Sequence, residues 1–412
     1  MKPAATLVNQ FPPSVRRRGL IALLIITFLM YGGFFMVIPL VSIYYVDSLG
    51  MAGMIVGLAL ATRQLLQQGA AVFGGMLGDR FGVKRLISLG VLIRAIGFIS
   101  LAWAANIPLL FLAMVLSALG GAFFEAPRSA AIAALTTEEE RARFYSIAGV
   151  VSGLAMTIGP LIGALLLRLN FSIICLVAAG CFIIIYFVAI WMLPPVRVAT
   201  AQQGLSFGVQ LALHDRPFML FTALLMGFWF MWVQLTLSLP LEARALTGSN
   251  DSVSIVYSLN AGMTVLFQYP LMRFLEGRVR PLMLVIIGMA VMALGLGAVA
   301  LVTSFPLLLA CVALFSFGML LATPTQQTVA AELADPRALG SYFGVNALAL
   351  AFGGSIGHFS GGLLTDLARQ MSLPMLPWIT ICSVGLISAG GMFILDHVLR
   401  RTHVSQPDPL PQ

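Results

Sequence analysis

Long apolar runs alternate with short polar interruptions along the whole chain. Candidate helical spans fall near residues 19–45, 51–75, 84–104, 108–134, 143–168, 172–193, 217–241, 253–274, 281–303, 306–331, 338–367 and 375–399. Each has about the ~20 residues that a helix needs to cross a bilayer. Lipid cannot satisfy open backbone groups, and the sequence lacks the alternation of a membrane barrel. The pattern therefore predicts an all-α membrane protein with twelve transmembrane helices.

The few charged residues predict the orientation of these spans. Only 9% of the 412 residues are charged, and 60% are hydrophobic. Seventeen of the 23 lysines and arginines fall on the side of the N-terminus. Arg168, Arg244 and Arg369 fall on the other side, and Arg63, Arg94 and Arg128 lie inside spans. The positive-inside rule then places both termini in the cytoplasm, as expected for an inner-membrane protein. The net charge of +8 is a topology signal and requires no nucleic-acid partner.

A polar interruption from Pro194 to Pro217 divides the spans six and six. We expect a cytoplasmic leader (1–18), an N-terminal six-helix bundle (19–193), a cytoplasmic linker (194–216), a C-terminal six-helix bundle (217–400) and a cytoplasmic tail (401–412). The first apolar run is too long for a cleavable signal. Residues 158–163 resemble residues 352–357, which lie 194 positions later. A weak repeat of this kind predicts two pseudo-symmetric halves, as in transporters whose halves rock about a midplane site.

A short glycine-rich and charged segment separates the second and third spans. It runs from Gly75 to Arg85 and resembles the corresponding cytoplasmic loop of the major facilitator superfamily. The positions that fit the family pattern are Gly75, Leu77, Asp79, Arg80, Gly82 and Lys84, with Arg85 following. We expect Gly75 and Gly82 to allow a tight reversal and Asp79 to begin a helix. The resemblance implies that this segment is a cytoplasmic gate.

A second resemblance lies in the fifth span. Gly159, Pro160 and Gly163 are similar to the signature of twelve-span drug:proton antiporters, with alanine replacing glycine at both ends. The resemblance implies a hinge-like packing face between the halves. Residues 60–69 and 124–130 also resemble a drug exporter of this family, which implies proton-driven export of drug-like molecules, zwitterionic quinolones among them. Ordinary packing of small residues against a neighbouring helix is the alternative interpretation.

One carboxylate, Glu125, is predicted to lie deep in a span, ~15 Å from the cytoplasmic end. Such a group is costly unless it is paired, protonated or wetted, so it is a functional candidate. Arg128, Arg94 and Arg63 fall at similar depth and predict one polar cluster, with Gln64 and Gln67 supplying hydrogen bonds. Glu125 is the predicted proton site, and a structural ion pair is the alternative.

Two further observations bear on proton coupling. The family pattern expects an arginine four residues before Gly120, where this chain has Leu116. The resemblance ties that arginine to proton coupling, so either Arg94 or Arg128 takes its place or the coupling to protons differs. His358 lies well inside a predicted span, whereas His397 is close to the end of the last one, so His358 is the next candidate for the proton, although a lone histidine is more often a packing residue. Asp396→Asn, near the end of the last span, is expected to change export driven by a pH gradient little.

Aromatic and amide side chains in the spans are candidates for lining a substrate cavity, because they offer contact area and hydrogen bonds. The candidates are Tyr31, Phe34, Gln64, Gln67, Trp229, Trp232, Gln234, Asn260 and Asn346. Contact with lipid explains the aromatic ones equally well.

The sequence offers no constellation for catalysis, no metal-ligand spacing and no nucleotide-binding loop. We therefore expect a monomeric transporter that binds a small molecule and protons, lies in a lipid bilayer and uses no cofactor. A carrier of a specific and anionic metabolite is an alternative in the same fold, because three arginines and only one carboxylate are predicted within the spans. A membrane-embedded enzyme and a transport-inactive sensor are remote alternatives.

Overall fold

The computed structural model describes residues 11–195, 205–275, 277–335 and 338–404. Side chains are described throughout these ranges except at residues 71–80, 126, 133, 138, 139, 141–143, 146, 205–207, 339, 340 and 401–404. The described backbone is helical and contains no strand, which confirms the all-α prediction. Parts of the predicted leader (1–10), linker (196–204) and tail (405–412) lie outside the described residues.

The first six spans correspond to six helices. They are α1 (Pro13–Ser42, continued by a π-helical turn, Ile43–Ser48), α2 (Gly53–Phe81), α3 (Val83–Ala102), α4 (Ile107–Leu135), α5 (Glu138–Leu167) and α6 (Phe171–Met192). A short helix, α7 (Leu205–His214), lies in the predicted linker.

The second six spans contain more interruptions. They comprise α8 (Arg216–Trp232), α9 (Ser238–Thr247), α10 (Asp251–Leu275), α11 (Pro281–Ala298), α12 (Phe305–Leu333), α13 (Leu339–Leu348), α14 (Gly354–Met371) and α15 (Leu376–Val404). A 3-10 turn at Val233–Leu235 follows α8, and a π-helical turn at Ala349–Gly353 joins α13 to α14. The seventh and eleventh predicted spans are therefore each built from two helices.

Ten helical segments among the described residues are long and apolar enough to cross a membrane. The two other predicted spans correspond to α2 and α10. These helices have 29 and 25 residues, which is long enough to cross a hydrocarbon core of ~30 Å. Twelve spans are therefore consistent with the structure.

The predicted loop between the second and third spans is wrong. Helix α2 continues to Phe81, and α3 begins at Val83, so only Gly82 separates them. Gly82 has φ +88°, a conformation that glycine adopts without strain. Gly75 therefore makes no reversal, and Asp79 lies in the last turn of α2 and does not begin a helix. The side chains of Gly75, Leu77, Asp79 and Arg80 lie outside the described residues.

The glycines of the fifth span pack against α1. A Cβ on Gly159 would lie 2.7 Å from the carbonyl oxygen of Gly32, and one on Gly163 would overlap the carbonyl oxygen of Met36. The predicted packing face between the halves is therefore wrong for these two glycines, because both contact a helix of the same half. Close backbone approach explains the small residues, as in other membrane helix pairs.

The same contact recurs 194 positions later. A Cβ on Gly353 would overlap the carbonyl oxygen of Met226, and one on Gly357 would lie 2.8 Å from the carbonyl oxygen of Phe230. Met226 and Phe230 on α8 stand 194 positions after Gly32 and Met36 on α1. The sequence repeat thus corresponds to a repeated helix contact.

The chain forms two compact units. The first comprises residues 1–202, 235–261 and 358–366, and the second comprises residues 203–234, 262–357 and 367–412. Two segments from the second half of the sequence therefore pack with the first half. The domain boundaries predicted from sequence stay a prediction.

Helix α14 closes on the start of α2 within the first unit. The backbone N–H of Gly53 donates to Oδ1 of Asp366 at 2.8 Å, and that of Met54 donates to Oδ2 at 2.7 Å. The carboxylate thereby caps the helix N-terminus, where negative charge is favourable. A Cβ on Gly57 would overlap the carbonyl oxygen of His358, so the two backbones also touch one turn further along.

A capping box begins α5 and makes a pH-dependent contribution to stability. The N–H of Thr137 donates to Glu140 at 3.2 Å, and the N–H of Glu140 donates to the Thr137 hydroxyl at 3.2 Å. These bonds and the Arg16 side chain lower the pKa of Glu140. A lowered pKa stabilises the fold above the unfolded pKa of ~4.3, and this stabilisation is lost as the pH falls through the folded pKa. We expect Glu140→Gln to lower the melting temperature of the purified protein slightly at pH 7 and to have less effect near pH 3. An equal effect at both pH values would contradict the electrostatic origin.

Candidate functional site

Two arginines face one phenylalanine ring in the interior of the first unit. The guanidinium carbon of Arg63 on α2 lies 4.9 Å from the centroid of the Phe34 ring on α1, and that of Arg94 on α3 lies 4.6 Å from it. Each arginine is only 4% exposed. Burying a guanidinium is costly, and the face of an aromatic ring offsets part of that cost. We call Arg63, Arg94 and Phe34 the arginine–phenylalanine cluster.

Amide oxygens of α2 satisfy part of the Arg63 guanidinium. Its Nη1 donates to Gln67 at 2.8 Å and its Nη2 donates to Gln64 at 2.9 Å. The Nε atoms of Arg63 and Arg94 are buried and have no hydrogen-bond partner among the described residues. The cluster therefore holds positive charge with unused donors, an arrangement that suits a carboxylate or another anionic group.

Glycines of α4 allow Arg94 to reach this cluster from α3. A Cβ on Gly120 would lie 2.6 Å from the Arg94 Cβ, and one on Gly121 would lie 2.8 Å from its Nη1. Leu116, which stands where the family pattern expects an arginine, instead packs its Cβ 3.1 Å from where a Cβ on Gly97 would lie. The Arg94 side chain of α3 occupies the space that Gly120 and Gly121 leave, so this chain has a buried positive charge on α3.

Glu125 lies in a separate network between α1 and α4. The Tyr31 hydroxyl donates to its Oε1 at 3.1 Å, and Nη1 of Arg128 lies 3.5 Å from its Oε2. The Arg128 Nε donates to the Thr27 hydroxyl at 3.1 Å. The Glu125 side chain is 38% exposed and that of Arg128 is 11% exposed. Glu125 is therefore partly exposed, whereas Arg128 is mostly buried and is fixed by its bond to Thr27. The charge of Arg94 also interacts with Glu125.

The structure therefore brings the predicted polar residues together in two linked groups. Arg63 pairs with glutamines, and Glu125 pairs with Arg128 and Tyr31. Sequence reasoning missed the contact between Tyr31 and Glu125, and it assigned no role to Thr27. A signal was present, because Thr27 and Tyr31 lie four positions apart on one face of α1, and Glu125 and Arg128 lie three apart on α4.

His358 lies in the first unit with the start of α2. It is 3% exposed, and its Nδ1 has no hydrogen-bond partner among the described residues. Arg63 is near enough for its charge to act on the imidazole. His358 thus contacts α2 at Gly57, and the hydrogen bonds of Glu125 do not include it.

The candidates in the second half of the sequence are more scattered. Trp229 and Trp232 are partly exposed and meet edge to face with centroids 5.6 Å apart. Gln234 is fully buried, and its amide donates to the carbonyl oxygens of Phe230 and Gly357 at 2.9 and 3.1 Å. Asn346 is buried and accepts from the Thr222 hydroxyl at 3.5 Å. Both amides join packed helices, and the expectation that Gln234 and Asn346 line a cavity stays a prediction. Asn260, in the first unit, is partly buried.

Comparison with known families gives one match. Residues 23–358 match the model of the Major Facilitator Superfamily.

Curated relatives cover nearly the whole chain. The chain is 39% identical to a protein named multidrug resistance protein MdtH from Yersinia enterocolitica, over 92% of this chain and 94% of the relative. It is 38% identical to the MdtH protein of Proteus mirabilis, over 90% of this chain and 93% of that protein.

Solved structures share the fold at low sequence identity. A POT family transporter in complex with 5-aminolevulinic acid superposes with a TM-score of 0.77 at 16% identity, covering 92% of this chain and 96% of the other. The nucleoside transporter NupG superposes with a TM-score of 0.77 at 14% identity, covering 91% and 99%. These likenesses concern the fold alone.

Proposed function

Because this chain belongs to the Major Facilitator Superfamily and is a multi-pass secondary transporter, we propose that it exports drug-like small molecules in exchange for protons. The names of the MdtH relatives support export of drugs. In the proposed orientation the chain lies in the cytoplasmic membrane with both termini in the cytoplasm, as its basic residues indicate. Transport proceeds by alternating access, and the protein works as a monomer.

The observation that carries the proposal is a half-exposed carboxylate next to buried cations. Glu125 accepts from Tyr31 and faces Arg128, while Arg63 and Arg94 present unused donors nearby. In the proposed mechanism Glu125 alternately binds a proton and pairs with Arg128. The arginine–phenylalanine cluster holds an anionic group of the substrate, and the Phe34 ring contacts its apolar part. A zwitterionic aromatic molecule satisfies both groups.

A second candidate function is transport of a specific anionic metabolite. Two buried guanidiniums without an ion-pair partner among the described residues favour it. The two functions differ in the range of substrates accepted. A drug exporter accepts varied aromatic ligands, whereas a metabolite carrier distinguishes its substrate from similar molecules by the geometry of the contacts.

Proton release from purified protein in weakly buffered detergent solution tests the proposal. We expect a zwitterionic quinolone to release protons from the wild-type protein, and a small aliphatic dicarboxylate to release none. Release by the dicarboxylate alone would favour the metabolite carrier. Binding of the quinolone with no release at any pH would contradict proton coupling.

Gly121→Ala tests the arginine–phenylalanine cluster without removing a charge. The new Cβ would lie 2.7 Å from the Gln67 Cδ and 2.8 Å from the Arg94 Nη1, both at the ends of flexible side chains. The fold can therefore adjust while the guanidiniums shift. We expect quinolone affinity to fall by about tenfold, which corresponds to ~1.4 kcal/mol, with little change in melting temperature.

Gly153→Ala on α5 is the matched control, because a Cβ there would meet nothing within 4 Å. Isothermal titration should show unchanged affinity for this variant. Equal affinity of the Gly121 variant and the wild type would mean that the substrate binds elsewhere.

A further inference from the structure

A cavity of about 430 Å³ lies between α3 and α6 in the first unit, apart from the site proposed for transport. It opens where α2 ends and α3 begins. Its lining residues are Phe81, Gly82, Lys84, Arg85, Ser88, Leu89, Leu92, Tyr186, Ile190 and Pro195.

The mouth of this cavity is positively charged. Lys84 is half-buried and Arg85 is exposed, and neither side chain forms a hydrogen bond or ion pair with a described residue. No acidic residue lies in the first turn of α3, and no carboxylate among the described side chains lines the cavity. Among the described side chains, the mouth therefore offers two cations and no carboxylate to an anion.

The deeper wall of the cavity is apolar. Leu89 and Leu92 from α3 face Ile190 from α6, and Leu92 lies eight positions beyond Lys84, about 12 Å further along the helix. Leu89 is 51% exposed, and Trp191, next to Ile190, is 67% exposed. Such exposed residues on a membrane helix face lipid, and tryptophan is typical of the interface region. Charge at the surface and an apolar groove beneath it match an amphiphile and do not match a soluble anion.

The second unit has a cavity of about 720 Å³ after Gly277, and two of its three arginines are engaged. Arg280 pairs with Asp396 at 3.5 Å, and the Arg278 side chain lies over the Phe274 ring at 4.3 Å. Only Arg273, which is exposed, lacks a hydrogen bond or ion pair with a described residue there, whereas both Lys84 and Arg85 lack one in the first cavity. The cavity of the first unit is therefore the stronger candidate for an anionic ligand.

We propose that the cavity between α3 and α6 binds an anionic glycerophospholipid from the leaflet at the basic ends of the helices. The phosphate lies between Lys84 and Arg85, and the first part of an acyl chain lies along Leu89, Leu92 and Ile190. This ligand is distinct from the transported substrate, so the site does not depend on the proposed function.

Quenching of Trp191 fluorescence by brominated lipid tests the proposal. The full chain, with Trp103, Trp229, Trp232 and Trp378 changed to phenylalanine, is placed in phosphatidylcholine nanodiscs that contain brominated phosphatidylglycerol or brominated phosphatidylcholine. We expect phosphatidylglycerol to quench at roughly tenfold lower mole fraction, since each basic residue near the surface strengthens binding severalfold. Lys84→Gln with Arg85→Gln should remove this preference.

Arg17→Gln with Arg18→Gln is the matched control, because it removes the same charge from exposed positions that do not line the cavity. If this control keeps the preference for phosphatidylglycerol, the proposed site is supported. If both double variants lose the preference equally, it comes from general surface charge and not from this cavity. Relief of quenching by millimolar glycerol phosphate would overturn the proposal in favour of a soluble anion. Native mass spectrometry of the wild-type chain, counting retained phosphatidylglycerol, gives the same decision if the single-tryptophan protein fails to fold.

Discussion

Glu125→Gln is expected to reduce export driven by a pH gradient to the level of vesicles without the transporter, while substrate binding persists. The amide keeps the size of the side chain and can still accept from the Tyr31 hydroxyl, which lies 3.1 Å away in the native protein. It cannot lose a proton, and it removes the negative charge that faces Arg128. The exchange of a proton for an ion pair therefore becomes impossible in the proposed mechanism.

Transport into everted vesicles, measured with and without an imposed pH gradient, checks this expectation. Glu332→Gln is the matched control, since Glu332 is an exposed carboxylate near the end of α12 and should be dispensable. Full export against a gradient by the Glu125 variant at equal expression would place the proton site elsewhere, with His358 the next residue to test. Uptake without a gradient at the wild-type rate would mean that the variant is uncoupled and not inactive.

Asp366→Asn is expected to weaken the contact between α14 and the start of α2 strongly. The native carboxylate accepts two backbone N–H bonds, from Gly53 and Met54. Hydrogen bonds to charged groups contribute about 1.5–3 kcal/mol each, and an asparagine side chain can accept only one of the two at this site. A loss of this size shifts the population toward states in which the contact is open by about tenfold or more.

Labelling of a cysteine placed at Ala61 detects this opening. Ala61 is buried and lies on the same face of α2 as Gly57 and Gly53, which are four and eight positions before it. In a background without Cys175, Cys181, Cys311 and Cys382, an impermeant maleimide should react faster in the Asp366 variant. Asp251→Asn is the control, because its pair with Arg168 is 2.7 Å long but both side chains are more than half exposed. Identical labelling of all three proteins would show that the cap does not hold this contact closed.

The span positions were predictable from sequence because lipid imposes a long and simple apolar pattern. The end of α2 was not, because glycine and charge clusters resemble a loop, although a helix can continue through them when its neighbours support it. The position of Arg94 in the interior was also beyond sequence reasoning, since it depends on the space that Gly120 and Gly121 leave on another helix.

Asp396 shows the same limit. The sequence places it near the end of the last span as an ordinary carboxylate, but it is 3% exposed and lies between Arg280 and Arg400. The expectation that Asp396→Asn changes export little stays a prediction, but the structure gives this buried carboxylate two partly exposed arginine partners that sequence reasoning missed. Only the packing of α11 against α15 brings Arg280 to this position.

The interruption between α8 and α9 bears on how such a transporter moves. The regular ladder of backbone hydrogen bonds gives way to a 3-10 turn at Val233–Leu235, and the division between the compact units falls between Gln234 and Leu235. A second division falls between Gly357 and His358. A helix bends most easily where its hydrogen bonding already departs from the α-helical pattern. The compact units therefore do not coincide with the two sequence halves, because residues 235–261 and 358–366 group with the first unit. The seventh span departs from α-helical geometry at this division, and the eleventh span does so at Ala349–Gly353.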